Sequence, residues 1–197
     1  MIPVQKDEFA YSHEDIPTPP DGPENATMQR LSSPMSIPLP NLWPGNCFGC
    51  SPNNPHGLHL VFHRTERGAR TSCTLPAHLC GFEGIAHGGV VATLLDEAAA
   101  WALMAYAGRL GFTRSMNISF HRSAAIGALL AVEGRVESFD AKQALTRAEI
   151  RSVDGAIVAE STSEWTLMSL PVASKLFKLE KSRLEQFLAA IHPKQEG

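Results

Sequence analysis

The 197-residue sequence predicts an α+β domain in which a curved antiparallel sheet wraps around one long central helix. Three observations lead there. The stretch VVATLLDEAAAWALMAYAG (90–108) is rich in Ala and Leu and apolar on nearly every side, so it needs cover all round. Two strand-like segments precede it and four follow it. The later strands are long, which suits a sheet enclosing something thick, and one helix lying in a curved antiparallel sheet is the simplest arrangement that meets all three.

The first 44 residues hold nine of the 14 prolines, together with Asp7, Glu8, Glu14, Asp15, Asp21 and Glu24. Such a stretch buries too little apolar surface to offset its ordering entropy, so 1–44 is expected as an N-terminal arm, disordered or draped over a partner subunit. The folded domain is expected over 45–170. GLHLVFHR and ARTSCTL, bridged by Glu66-Arg67-Gly68, read as a hairpin. The loop PAHLCGFEGIAHGG leads into the long helix. After it, RSMNISFHR alternates, with Met116, Ile118 and Phe120 on one face and Asn117, Ser119 and His121 on the other. ALLAVEGRVESF, QALTRAEIRSV and AIVAESTSEWTLM are further strands, with Asp154-Gly155 the clearest turn between them. Pro171 ends the last strand. In 171–197, Leu176, Leu184, Leu188 and Ile191 recur at helical spacing, giving one amphipathic C-terminal helix and a tail.

Composition narrows the function. Hydrophobic residues at 44% and charged residues at 19% describe a globular chain, and a net charge of -3 offers no global field for nucleic acid or an anionic membrane. Cys47, Cys50, Cys73 and Cys80 are too sparse for a disulfide scaffold, and the N-terminal twenty residues carry more acid than base with no apolar run, so a reducing, cytoplasmic setting is expected. The apolar stretch 85–107 approaches membrane-span length but contains His87, Asp96 and Glu97, and reads as a buried helix.

Asp96 needs explaining. It sits mid-helix among Val91, Leu94, Leu95, Ala98 and Ala99, where an ionised carboxylate is costly unless paired or used, and where Asp is a poor helix former. Two readings stand: Asp96 and Glu97 form an exposed notch, or the carboxylate does chemistry. The helix start favours the second. Gly88 and Gly89 let a ligand approach the backbone and leave N–H groups free at the positive end of the helix, where a carbonyl turning into an oxyanion is stabilised. Nine residues separate His87 from Asp96, about 13 Å along a helix axis, so both can serve one reaction only if a second subunit supplies one of them. An isologous homodimer follows.

AHGGVVATLLDEA ahead of TRSMNISFHRS resembles the signature of the hotdog-fold acyl-CoA thioesterases of the PaaI and THEM4-like type, and CFGCSPNNPHGLHL is similar to a segment that opens the first strand in such proteins. The resemblance covers roughly 47–168. It implies a hydrolase that cleaves an acyl-CoA thioester to free acid and CoA, acting as a homodimer, with a homotetramer as the alternative, and needing no cofactor. It implies that Asp96 is the catalytic general base or nucleophile, that Gly88 with His87 forms the oxyanion site, and that Thr113 orients the carboxylate or water. Gly89, Asn117, Ser119, His121 and Arg122 are implied as substrate contacts, with Arg122 suited to phosphate. A catalytically silent acyl-CoA-binding domain and a hotdog hydratase or dehydratase are the rival readings.

Other signals are set aside. Cys47-Phe48-Gly49-Cys50 has zinc-ligand spacing, but no second pair completes a tetrahedral set, so no metal is expected. A redox pair lacks its βαβ context. No phosphate-loop, serine-hydrolase or HExxH pattern occurs where its structure would demand it.

Overall fold

The computed structural model describes residues 38–192. The sheet has six strands: β1 (His63–Arg64), β2 (Gly68–Thr74), β5 (Leu110–Phe120), β6 (Leu129–Phe139), β7 (Gln143–Ser152) and β8 (Ile157–Met168), in the spatial order β1-β2-β6-β7-β8-β5. Every pairing is antiparallel. A separate short hairpin, β3 (Cys80–Phe82) with β4 (Ile85–Ala86), stands at the entrance to α1 (Gly88–Ala102). That helix runs on through a π-helical turn, Leu103–Ala107. The predicted order of two strands, one central helix and four strands holds for the main sheet, while the segment expected as a loop before the helix forms the β3–β4 hairpin.

The helix lies hard against the middle of the sheet. Ala98, Ala99 and Ala102 are fully buried there, and a methyl group placed on Gly134 of β6 would fall 2.1 Å from the Ala98 carbonyl oxygen. Only a glycine opposite alanines allows this approach. The other side of α1 is covered by an aromatic box: Phe62 stacks on Trp101 at 5.0 Å, Phe187 meets Trp101 edge-on at 5.7 Å, and Trp43 meets Phe187 at 5.2 Å. The C-terminal half of a segment long and apolar enough to cross a membrane (Gly88–Ala107) is thus packed between sheet and aromatic cover.

Two expectations need correction. The first expected strand contributes only His63–Arg64 to the sheet. Upstream of it, the Leu58 and Leu60 N–H groups donate instead to the carbonyls of Phe48 and Gly49, and His59 adopts a φ of 51°, so the backbone there is spent on the Cys47–Cys50 turn. The single C-terminal helix is two: α2 (Leu170–Phe177) and α3 (Lys181–Ile191), broken where Lys178 turns left-handed at φ 55°. The buried stripe on α3 is Leu184, Phe187 and Ile191, whereas Leu176 is exposed. Arg64 ties the ensemble together, its guanidinium donating to the carbonyls of Ala105 and Ile191 at the C-terminal ends of the central and last helices. The expected arm lies outside the described residues as far as residue 37; from Pro38 the chain packs on β1, with Leu39 buried.

The Gly134 contact yields a stability prediction. Gly134→Ala forces the helix off the sheet and is expected to cost about 1–3 kcal/mol as overpacking. Urea unfolding of the two proteins checks this; equal midpoints would show that the helix does not rest on that glycine.

Candidate functional site

Asp96 is half-buried on α1, and the Thr113 hydroxyl at the start of the edge strand β5 donates to its Oδ1 at 2.6 Å. The bond depends on an irregularity in β5. Thr113 stands opposite Trp165 and Ser115 opposite Glu164, so Arg114 is an extra residue. This bulge keeps Thr113 on the inner face of the sheet while restoring the alternation that follows. With Oδ1 held, the second carboxylate oxygen is left for another partner. Both residues line a cavity of about 200 Å³, which Trp43, Phe112 and Phe177 bound with largely apolar surface.

At the helix start one of the two expected backbone donors is taken. The His87 ring is the N-cap: its Nδ1 accepts from the Gly89 N–H at 2.9 Å. Gly89 is therefore occupied, while the Gly88 N–H has no partner among the described residues. Gly88 is exposed, and a methyl group there would meet the Phe120 ring at 3.9 Å. Within one protomer this free donor lies a little over two helical turns from Asp96, about 12 Å along the axis. One chain does not bring them together.

Nor does it bring the remaining expected contacts to Asp96. Asn117 and Ser119 pair with Thr162 and Glu160 of β8 and share their outer sheet face, where they line a polar depression with Arg135 and Arg147. His121 lies 3.0 Å from Glu160, and Arg122 pairs with Asp154 at 3.6 Å.

Glu97 was missed. Of the two readings of the acidic pair, the exposed notch does not hold: both residues are half-buried, and Glu97 turns from the helix toward the Cys47–Cys50 loop. A hydrogen bond joins Cys47 Sγ to Glu97 Oε1 at 3.0 Å, and the Gly49 N–H donates to Cys47 Sγ at 3.3 Å. A hydrogen bond from Cys50, opposed by burial and aided by Glu97, holds Cys47 low, at about 5. Cys50, as the donor to Cys47 and as a buried group, is pushed well above the ordinary thiol range. Burial first, then the charge on Cys47, raises Glu97 to about 8. Cys47, Cys50 and Glu97 line the same cavity as Asp96. Fifty residues separate Cys47 from Glu97, so no spacing rule could have joined them; the signal was a second acid on a helix with no place for one.

The fold and its relatives agree. The family model for the Thioesterase superfamily matches residues 83–159, the span from the hairpin before α1 into β8. The bovine acyl-coenzyme A thioesterase THEM4 is 26% identical over 100 residues, covering 50% of this chain and 40% of its own. The chain thus matches less than half the length of that curated relative. A crystal structure described as a thioesterase superfamily protein is 26% identical with a TM-score of 0.57, covering 61% of this chain and 62% of that one. The PaaI protein of the E. coli phenylacetic acid degradation operon aligns with a TM-score of 0.52 at 22% identity over 55% of this chain and 83% of its own. The architecture is the hotdog fold, and the resemblance read from AHGGVVATLLDEA is to proteins of this superfamily.

The cap at the head of α1 can be weighed directly. His87→Ala is expected to cost about 0.5–2 kcal/mol, the usual loss on removing an N-cap acceptor, and His87→Asn to restore most of it. Thermal unfolding of the three proteins reads this; equal stability of His87→Ala and wild type would deny the cap.

Proposed function

We propose that this chain is an acyl-CoA thioesterase whose site forms across a homodimer, Asp96 coming from one subunit and the Gly88 N–H from the other. The observation that carries the reading is the carboxylate fixed by Thr113 at the wall of an apolar cavity, in a fold whose relatives are thioesterases.

In the proposed reaction Asp96 takes a proton from a water held against its free oxygen, and the resulting hydroxide attacks the thioester carbonyl carbon. The carbonyl oxygen becomes an oxyanion that accepts from the Gly88 N–H. The C–S bond then breaks, and the CoA thiolate leaves with the proton that Asp96 returns. A thioester carbonyl has weak resonance stabilisation, so one base and a backbone donor are a sufficient set.

The dimer is supported by what one protomer leaves open. Among the described residues β5 is an edge strand of 11 residues whose one sheet neighbour is β8. A long, uncovered edge invites pairing with another strand. Phe82, Phe112 and Phe120 are exposed at 79%, 45% and 57%, and Phe120 stands beside Gly88. A second copy along the β5 edge would cover Phe120 and deliver its helix start to the first copy's Asp96.

Thiol release from a panel of acyl-CoAs tests the reading. Asp96→Asn is expected to lose at least about a hundredfold in kcat, the lower end for a general base. Gly88→Pro removes the donor while leaving the helix intact, because proline suits the first helical position and His87 before it is already extended at φ -62°, ψ 135°. Its expected loss is about 10²–10³ in kcat. Wild-type and Asp96→Asn proteins of equal rate, with acyl-CoA still bound, would instead make this a binding domain.

A further inference from the structure

The Cys47–Cys50 loop and Glu97 form a cluster that the proposed hydrolysis does not use. The two sulfurs and a Glu97 carboxylate oxygen all lie within 4.8 Å of one another. Ligands on one tetrahedral zinc ion stand roughly 3.6–3.8 Å apart, given Zn–S near 2.3 Å and Zn–O near 2.1 Å. The loop is built around this grouping. Ser51 N–H closes the turn onto the Cys47 carbonyl, Leu58 and Leu60 strap it from behind, and the Gly49 N–H points at Cys47 Sγ. Gly49 is required for contact with the helix, since a methyl group there would fall 2.2 Å from Glu97 Cγ.

Cys50 is 4% exposed, and the acid and thiols crowd one another. The Trp101 indole N–H is buried and has no acceptor among the described residues. A disulfide between the cysteines would leave Glu97 in place without a partner. A divalent cation that displaces the protons of this cluster would engage all three side chains at once. Two thiolates and a carboxylate select a borderline-soft ion over magnesium or calcium.

We propose that Cys47, Cys50 and Glu97 bind one Zn²⁺ ion, with the fourth coordination position open to the cavity that Asp96 lines. The sequence missed this because the third ligand comes from the central helix and not from a second cysteine pair. The site stands independently of the thioesterase reading, since metal binding is read without turnover.

Co²⁺ titration of the reduced full-length chain, followed by Zn²⁺ competition, tests it. The expected result is one tetrahedral Co²⁺ per chain with thiolate-to-cobalt charge transfer, displaced by Zn²⁺. Cys50→Ser is expected to lower the charge-transfer intensity by about half, one of two thiolates being gone. Glu97→Gln keeps that intensity but weakens binding at least about tenfold, and Asp96→Asn binds as wild type. No saturable binding by the reduced wild-type chain would overturn the proposal, as would a Glu97→Gln protein that binds as tightly as wild type.

Discussion

The contact between Ala98 and Gly134 sets everything else in this molecule. Because the helix backbone rests directly on β6, its rotation about its own axis has little freedom. Each residue turns the helix by about 100°, so fixing Ala98, Ala99 and Ala102 against the sheet also fixes where Glu97 and Asp96 emerge. Glu97 comes out toward the Cys47–Cys50 loop, and Asp96 toward Thr113 at the sheet edge. Two neighbouring acids thus acquire different partners from one packing constraint. A bulkier residue at 134 would lift the helix and loosen both partnerships at once.

The aromatic box explains a second feature of the helix. A segment apolar all round in a single-layer sheet would leave half its surface in water. Trp43, Phe62 and Phe187 come from three distant parts of the chain to cover it near Trp101, at its C-terminal half. They do not reach the N-terminal turn, where Gly88 and Gly89 stay exposed. Cover ends where the proposed second subunit would begin, so packing and chemistry point to the same unoccupied face.

Much of this was legible in the sequence. The apolar run with Asp96 inside it marked the central helix, and the alternation through Met116, Ile118 and Phe120 marked β5 with its faces correctly assigned. Local patterns fail where a residue's partner is remote. Residues 57–62 look like a strand, yet their donors go to the Phe48–Gly49 turn. The leucine spacing over 176–191 ignores the left-handed Lys178 that splits the helix. His87 stands at the turn as expected, but that its ring caps the helix through the Gly89 N–H is a matter of rotamer that no sequence pattern records. Glu97 is the largest omission: its environment is set by a loop fifty residues away, and pairing between distant residues leaves no periodic trace.

The central claim is that one reaction centre draws on two chains, and complementation between two inactive proteins tests it most directly. Asp96→Asn and Gly88→Pro subunits, mixed and exchanged, form hybrid dimers in which one site keeps an intact Asp96 and an intact Gly88 N–H, while the other site loses both. Random exchange puts about half the dimers in this hybrid form, so thioesterase activity should recover to about a quarter of the wild-type rate. Hybrid dimers that form, as shown by mass, yet remain as inactive as either parent would contradict the shared site and return the chemistry to a single chain.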